Sequence, residues 1–163
     1  MSFDDLERLS RRIGVSKESL KRYIFSLIRN NPFIISEIRA LDFCEKFFRK
    51  RFLRTNFFET PDLVSSDGDI WVEVKDLRGL APGTSTLSLA QLSRLIKGIK
   101  EGKNVFLAIV SDEKVYLLRL NELNLNHSGW DVKKNYLKVL SALNKLVEEK
   151  ILRDMMEKSS SPK

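Results

Sequence analysis

Three residues in one short stretch have types and spacing suited to chemistry: Asp62, Glu73 and Lys75. Strand side chains repeat every two residues, so a strand through 73–75 sets Glu73 and Lys75 on one face. Asp62 opens the preceding apolar block, and an antiparallel partner strand would bring it alongside them. Two carboxylates and an ammonium on one sheet face are costly as plain packing, because buried charge needs a partner. A divalent metal ion suits two carboxylates, since hard cations take oxygen ligands. The chemistry of such a centre is hydrolytic: it activates water and screens developing negative charge.

These residues need a hairpin to position them. Leu63-Val64 and Ile70-Trp71-Val72 with Val74 are short apolar blocks, and Ser65-Ser66-Asp67-Gly68-Asp69 between them is rich in turn residues. Gly68 can take φ > 0, so the segment 61–75 predicts a β-hairpin. Upstream, Ile34, Ile38, Leu41, Cys44, Phe48 and Phe52 follow a helical period, with Glu37 in its first turns, and Asn56-Phe57-Phe58-Glu59 reads as a short strand. Downstream, 76–86 is a Gly/Pro/Thr-rich loop. Residues 87–100 are amphipathic, with Leu89, Leu92, Leu95, Ile96 and Ile99 inward and Ser88 as an N-cap. Residues 105–110 form a continuous apolar run of the kind expected in a doubly buried strand, and 115–120 form another strand after a turn at 111–114. A strand–helix–strand passage over 70–110 fits a parallel crossover.

At Pro61-Asp62 and Glu73-Val74-Lys75 the chain resembles the PD-(D/E)xK nuclease superfamily. The order helix–hairpin–helix–strand–strand over residues 34–120 agrees with that resemblance. It implies an α/β restriction-endonuclease-like fold, a mixed β-sheet flanked by helices. It also implies a metal-dependent endonuclease hydrolysing DNA phosphodiester bonds. Asp62, Glu73 and the Val74 carbonyl, assisted by Glu37, would hold Mg²⁺, with Mn²⁺ able to substitute, and Lys75 would orient water or stabilise the transition state. Related nucleases often carry a Gln or Glu near the lysine, and Gln91 matches that place, while a plain surface glutamine is an equal reading. Glu37 likewise suits helix capping and the helix dipole without catalysis. The layout looks most like archaeal Holliday-junction resolvases, which act as dimers. The added N-terminal helices and the lack of a clear extra Ser beside the PD motif depart from that subfamily. A DNA-binding regulator on a nuclease-like scaffold and an RNA-processing nuclease stay open as alternatives.

The formal net charge of the 163 residues is +7. Residues 1–54 hold 13 Lys/Arg against 7 Asp/Glu, so nearly all the excess precedes the hairpin. A one-sided basic surface is the footprint of a polyanion binder, and a solvated basic surface is the bland reading of the same residues. The candidate contacts are Arg39, Lys46, Arg49, Lys50, Arg51 and Arg54 around the helix before the hairpin, with Arg78 in the loop.

Residues 4–29 carry two apolar helical sets separated by Gly14 and Ser16, a stop and a cap. With Leu20 and Tyr23 inward, the pattern resembles the helix-turn-helix of transcriptional regulators. It would present Lys17, Lys21, Arg22 and Arg29 to DNA, and an ordinary αα-hairpin is the alternative. At the other end, Asp131 can cap a long helix with a wide apolar stripe from Val132 to Ile151. That stripe either packs on the body or makes a homodimer.

The expected layout is thus a helix-turn-helix-like unit over 1–31, a nuclease core over 32–125, a C-terminal helix over 131–158 and a disordered tail over 159–163. The single Cys44 excludes an internal disulfide and fits a reducing interior, and no run is long and apolar enough to span a membrane. The acidic start, with no apolar segment after it, does not read as a secretory signal, so a cytoplasmic protein is expected. The one histidine, His127, has neither a metal-ligand cluster nor a recognisable nucleophilic partner.

Overall fold

The computed structural model describes residues 3–30, 34–55, 59–77, 87–112, 114–123 and 131–160. Three expectations fall outside them: the strand placed on 56–58, the loop 78–86 with Arg78, and the segment 124–130 with His127. The chain divides into two units, Met1–Ile35 and Ser36–Lys163.

The first unit holds α1 (Phe3–Ile13) and α2 (Lys17–Asn30). Gly14 ends α1 at φ 70, a conformation that favours glycine, and its N–H donates to the Ser10 carbonyl at 3.0 Å. Ser16 caps α2, its Oγ accepting from the Ser19 N–H at 3.2 Å. Leu20 is buried as expected, but Tyr23 is 63% exposed and points outward. Two helices cover only a narrow stripe, here running from Leu20 to the half-buried Ile24, and Tyr23 falls beyond its edge.

The second unit is a mixed α/β layer structure. Helix α3 (Ile34–Phe48) starts at the unit boundary, followed by β1 (Phe52–Arg54), β2 (Leu63–Ser65) and β3 (Ile70–Asp76). Then come α4 (Leu89–Lys100), β4 (Asn104–Val110), β5 (Val115–Arg119) and a 3-10 turn at Leu120–Glu122. Helix α5 (Val132–Ser160) closes the chain. The sheet order is β1-β2-β3-β4-β5. Among the described strands only β3 and β4 pair in parallel, and α4 is their crossover.

Period-two alternation sorts β3 between two cores. Ile70, Val72 and Val74 join Ala40 and Cys44 of α3 on one face. Trp71 joins Leu92, Leu95 and Ile96 of α4 and Val139, Leu143 and Val147 of α5 on the other. Buried in the first core, the Cys44 thiol is pushed up to about 12 by desolvation and the nearby Glu45, which leaves it inert as a nucleophile.

Four expectations need correcting here. Phe52 does not continue α3: the helix stops at Phe48, Arg49 turns the chain at φ 54, and Phe52 begins β1. Among the described residues, the strand preceding the hairpin is 52–54. Leu89 is 41% exposed while Leu87 is buried, because Ser88 caps the helix and leaves Leu87 outside it, free to enter the core. Leu120 belongs to the 3-10 turn rather than to β5. Helix α5 runs to Ser160, past the predicted end at 158.

Asp131 does cap α5, accepting from the Lys134 N–H at 3.4 Å, and the helix carries a non-helical residue at Asn135. Its buried stripe, Val132, Val139, Leu143 and Val147, is consumed by the chain's own core. On α4, Gly98 lets the helix lie directly on the sheet: a Cβ there would stand 2.3 Å from Trp71 Cζ3. Arg94 covers the Trp71 ring from outside, its Cζ 4.4 Å from the centroid.

Candidate functional site

The antiparallel register of β2 and β3 pairs Leu63 with Val72 and Val64 with Trp71. Carried one residue further, it sets Asp62 directly opposite Glu73, on the face covered by α4 and α5. Cross-strand neighbours on one face have Cβ atoms about 5 Å apart. Asp62 is fixed twice over. Its Oδ2 accepts from the Val74 N–H at 2.8 Å, and its carbonyl accepts from the Thr55 N–H at 2.9 Å. Thr55 Oγ1 also donates to the Pro61 carbonyl at 2.6 Å.

Glu73 is 2% exposed, a carboxyl group at the centre of the sheet. Its Oε1 accepts from Gln91 Nε2 at 3.3 Å and stands 3.9 Å from Lys75 Nζ. Among the described residues, its buried Oε2 has no hydrogen-bond partner. Such orphans are rare in folded proteins and point to a missing donor, ion or proton. Asp62 is close enough to share a proton with Glu73, so the two carboxyls cannot both be ionised cheaply. Burial first, then the Asp62 charge, pushes Glu73 up to about 8. Burial also raises Asp62, opposed by the Val74 N–H and reinforced by the Glu37 charge. Two unit charges about 4 Å apart repel by roughly 4 kcal/mol at the effective dielectric of a protein. Lys75 offsets part of that repulsion, and a bound proton or cation must take the rest.

Gln91 joins the site through the architecture of a helix start. Ser88 Oγ accepts from the Gln91 N–H at 3.1 Å, and Gln91 Oε1 accepts from the Ser88 N–H at 3.0 Å, a reciprocal capping box. The same Oε1 accepts from Lys75 Nζ at 3.3 Å, while Nε2 reaches Glu73. One amide thereby ties the α4 N-terminus to Glu73 and Lys75 of β3.

Glu37 is placed differently. It sits on α3, and its Oε2 accepts from Arg54 Nε at 2.5 Å. Its charge is felt at Asp62, yet among the described residues no three His, Cys, Asp or Glu side chains gather closely enough to share a cation. The structure thus brings together Asp62, Glu73, Lys75, Val74 and Gln91, and holds Glu37 aside on a salt bridge.

The predicted basic stripe is largely occupied. Arg54 is paired with Glu37, Lys46 with Asp42 at 3.0 Å and Lys50 with Asp67 at 2.6 Å, while Arg39 donates to the Ser111 carbonyl. Arg49 and Arg51 are exposed, as are Lys21, Arg22 and Arg29 in the first unit, where Lys17 is half-buried. Sequence reasoning missed Thr55, which anchors the backbone of the Pro61-Asp62 pair. It also missed Ser36, whose Oγ donates to Asp76 Oδ2 at 2.7 Å and ties α3 to the end of β3. A Thr a few residues before Pro-Asp is too common a pattern to have marked the first. The second contact spans 40 residues of sequence and left no local signal.

The donor set fits a hard divalent cation: two adjacent carboxylates, one with an orphaned oxygen, on a rigid hairpin. Comparison with known proteins finds no matching family model, no similar curated protein and no similar solved structure.

Proposed function

We propose that this chain is a divalent-metal-dependent endonuclease acting on DNA. The reading rests on one observation: among the described residues, Glu73 Oε2 is buried without a hydrogen-bond partner opposite Asp62, with Lys75 beside the pair. Two carboxylates opposed on one sheet face are the donor arrangement that a phosphate-cleaving metal centre uses. Asp62, Glu73 and the Val74 carbonyl are the residues that would hold Mg²⁺ or Mn²⁺. When bound, the cation supplies Lewis-acid stabilisation of phosphate charge and an acidified water.

The chain's own residues do the rest. Lys75 places a positive charge where the phosphate oxygens gain negative charge, and Gln91 holds that ammonium and Glu73 in one geometry. Thr55 and the Val74 N–H keep the Asp62 carboxylate aimed at its neighbour. Release of the Arg54 pair would let Glu37 add a third carboxylate. The one-sided charge of residues 1–54 supports a polyanionic substrate, as do the two N-terminal helices. A homodimer acting on branched DNA remains the finer form of this proposal.

The test is cleavage of supercoiled plasmid and of a four-way junction with and without Mg²⁺. Glu73→Gln and Asp62→Asn are expected to lower the Mg²⁺-dependent rate by at least about 10²-fold while DNA binding in EDTA persists. Equal cleavage by wild type and both variants overturns the assignment. A second reading, a DNA-binding regulator that does not cut, is favoured by the Glu37–Arg54 salt bridge, which withholds the third carboxylate. It predicts no Mg²⁺-dependent product at any protein concentration.

A further inference from the structure

A second surface of the larger unit has a different character. Between α3 and the start of β5 lies an open groove of about 590 Å³, with Phe43, Phe47 and Val115 in it and Arg39, Lys46 and Lys114 around it. Asp42 is its one acidic lining residue. Phe43 and Phe47 stack with centroids 5.7 Å apart and planes 16° from parallel, and Phe47 is 61% exposed. An aromatic face that large is seldom left to water on a helix whose other side is well packed. Lys46 and Asp42 pair across side chains that are 78% and 66% exposed, so little holds that lysine in place. Arg39 is anchored to the Ser111 carbonyl, which fixes one cation beside the aromatic pair, while Lys114 lines the groove and reaches the Tyr116 ring at 5.6 Å.

We propose that this groove binds an unpaired nucleobase of a single-stranded nucleic acid, stacked on Phe47 with its flanking phosphates on Lys46, Arg39 and Lys114. Stacking is open to every base and needs only an exposed flat ring, while a cationic border tracks the backbone. Three cations against one acid make the surface complementary to a polyanion. The apolar floor is too small to seat a partner helix, which needs anchors over several turns. The groove lies near the end of the sheet where β4 finishes at Val110, paired with Asp76 of β3, on the face packed by α3. Along α3, Phe43 and Phe47 lie about 9 Å and 15 Å beyond Glu37 at the helical rise.

The test is run in EDTA, so that it stands whether or not the chain cleaves DNA. The probe is a short fluorescein-labelled oligothymidine, followed by anisotropy against its fully abasic counterpart. Phe47→Ala is expected to weaken binding of the intact probe about tenfold, and Phe47→Trp to retain it. The abasic probe should bind wild type as weakly as the intact probe binds Phe47→Ala. Lys46→Ala should flatten the dependence of log K on log salt by about one unit. Thermal melting of each variant checks folding; Phe47 is mostly solvent-exposed, so its truncation should leave the fold intact. The proposal is overturned if Phe47→Ala binds like wild type, if base and abasic probes bind alike, or if wild type binds neither. It is equally overturned if the variant's only effect is to abolish self-association in sedimentation, which would make the face a contact between copies.

Discussion

One hairpin carries carboxylates at both ends, and the two ends are opposites. At the turn, Asp67 accepts from Lys50 Nζ at 2.6 Å, Ser65 Oγ at 2.5 Å and the Asp69 N–H at 3.1 Å. Those donors, led by Lys50, hold its carboxyl well below the usual carboxylate range. At the open end, Glu73 is buried with an oxygen that no donor among the described residues satisfies, and both it and Asp62 are pushed upward. Asp67 stabilises a turn and has no unmet need. The Asp62–Glu73 pair carries an unmet need, which the fold holds in place with Thr55 and Gln91. Carboxylates on the same strands therefore differ in kind, and the difference lies in their donors rather than in their distance along the chain.

The sharpest way to expose that difference is pH. Glu73 rises from an ordinary value of 4.5 to about 8 on folding, so the folded state holds its proton more tightly than the unfolded state. Its contribution to metal-free stability is full below about pH 4.5, erodes as pH rises and is lost above about 8. Unfolding free energies from denaturant titrations in EDTA should fall by a few kcal/mol over that interval. Glu73→Gln should flatten the curve and be the more stable protein at pH 9. Mg²⁺ should rescue wild type at high pH and leave the variant unmoved, because cation binding requires the ionised pair.

Next in size is Lys75→Ala. It should lower Mg²⁺-dependent cleavage about 10²-fold with metal affinity little changed, read by single-turnover kinetics beside calorimetry.

Smaller still is the helix start. Ser88→Ala removes one half of the capping box and should cost about 1 kcal/mol in chemical denaturation. At the satisfied end of the hairpin, Asp67→Asn should leave metal affinity and cleavage at wild-type level and lower the melting midpoint only slightly. A loss of cleavage in Asp67→Asn as large as in Glu73→Gln would erase the contrast between the two ends.

Much of this was written locally. The turn residues around Gly68, at φ 80, foretold the hairpin, and the two-residue step from Glu73 to Lys75 foretold a shared face. Ser88, Ser16, Gly14 and Asp131 marked helix ends through chemistry that acts within four residues. Phe52 was misread because it falls four residues after Phe48, in step with the helix, and the turn between them is made by Arg49 without a glycine. Tyr23 was misread because a helical period fixes a stripe without fixing its width. The Glu37–Arg54 and Ser36–Asp76 contacts were illegible, since only the folded sheet brings those residues together. The parallel pairing of β3 with β4 followed from strand–helix–strand spacing, and among the described residues no helix is long and apolar enough to cross a membrane.

The bare backbone at Gly98 governs more than one contact. Trp71 stands two residues before Glu73 on the same face of β3, and its ring fills the space that a methyl group at Gly98 would claim. That close seating sets the height at which α4 rides over the sheet, and with it the reach of Gln91 at the other end of the helix. Trp71 thus acts as a fulcrum: a carbon added at residue 98 would tilt the helix and draw the amide away from Glu73, so the tuning of the acid pair begins two helical turns from it.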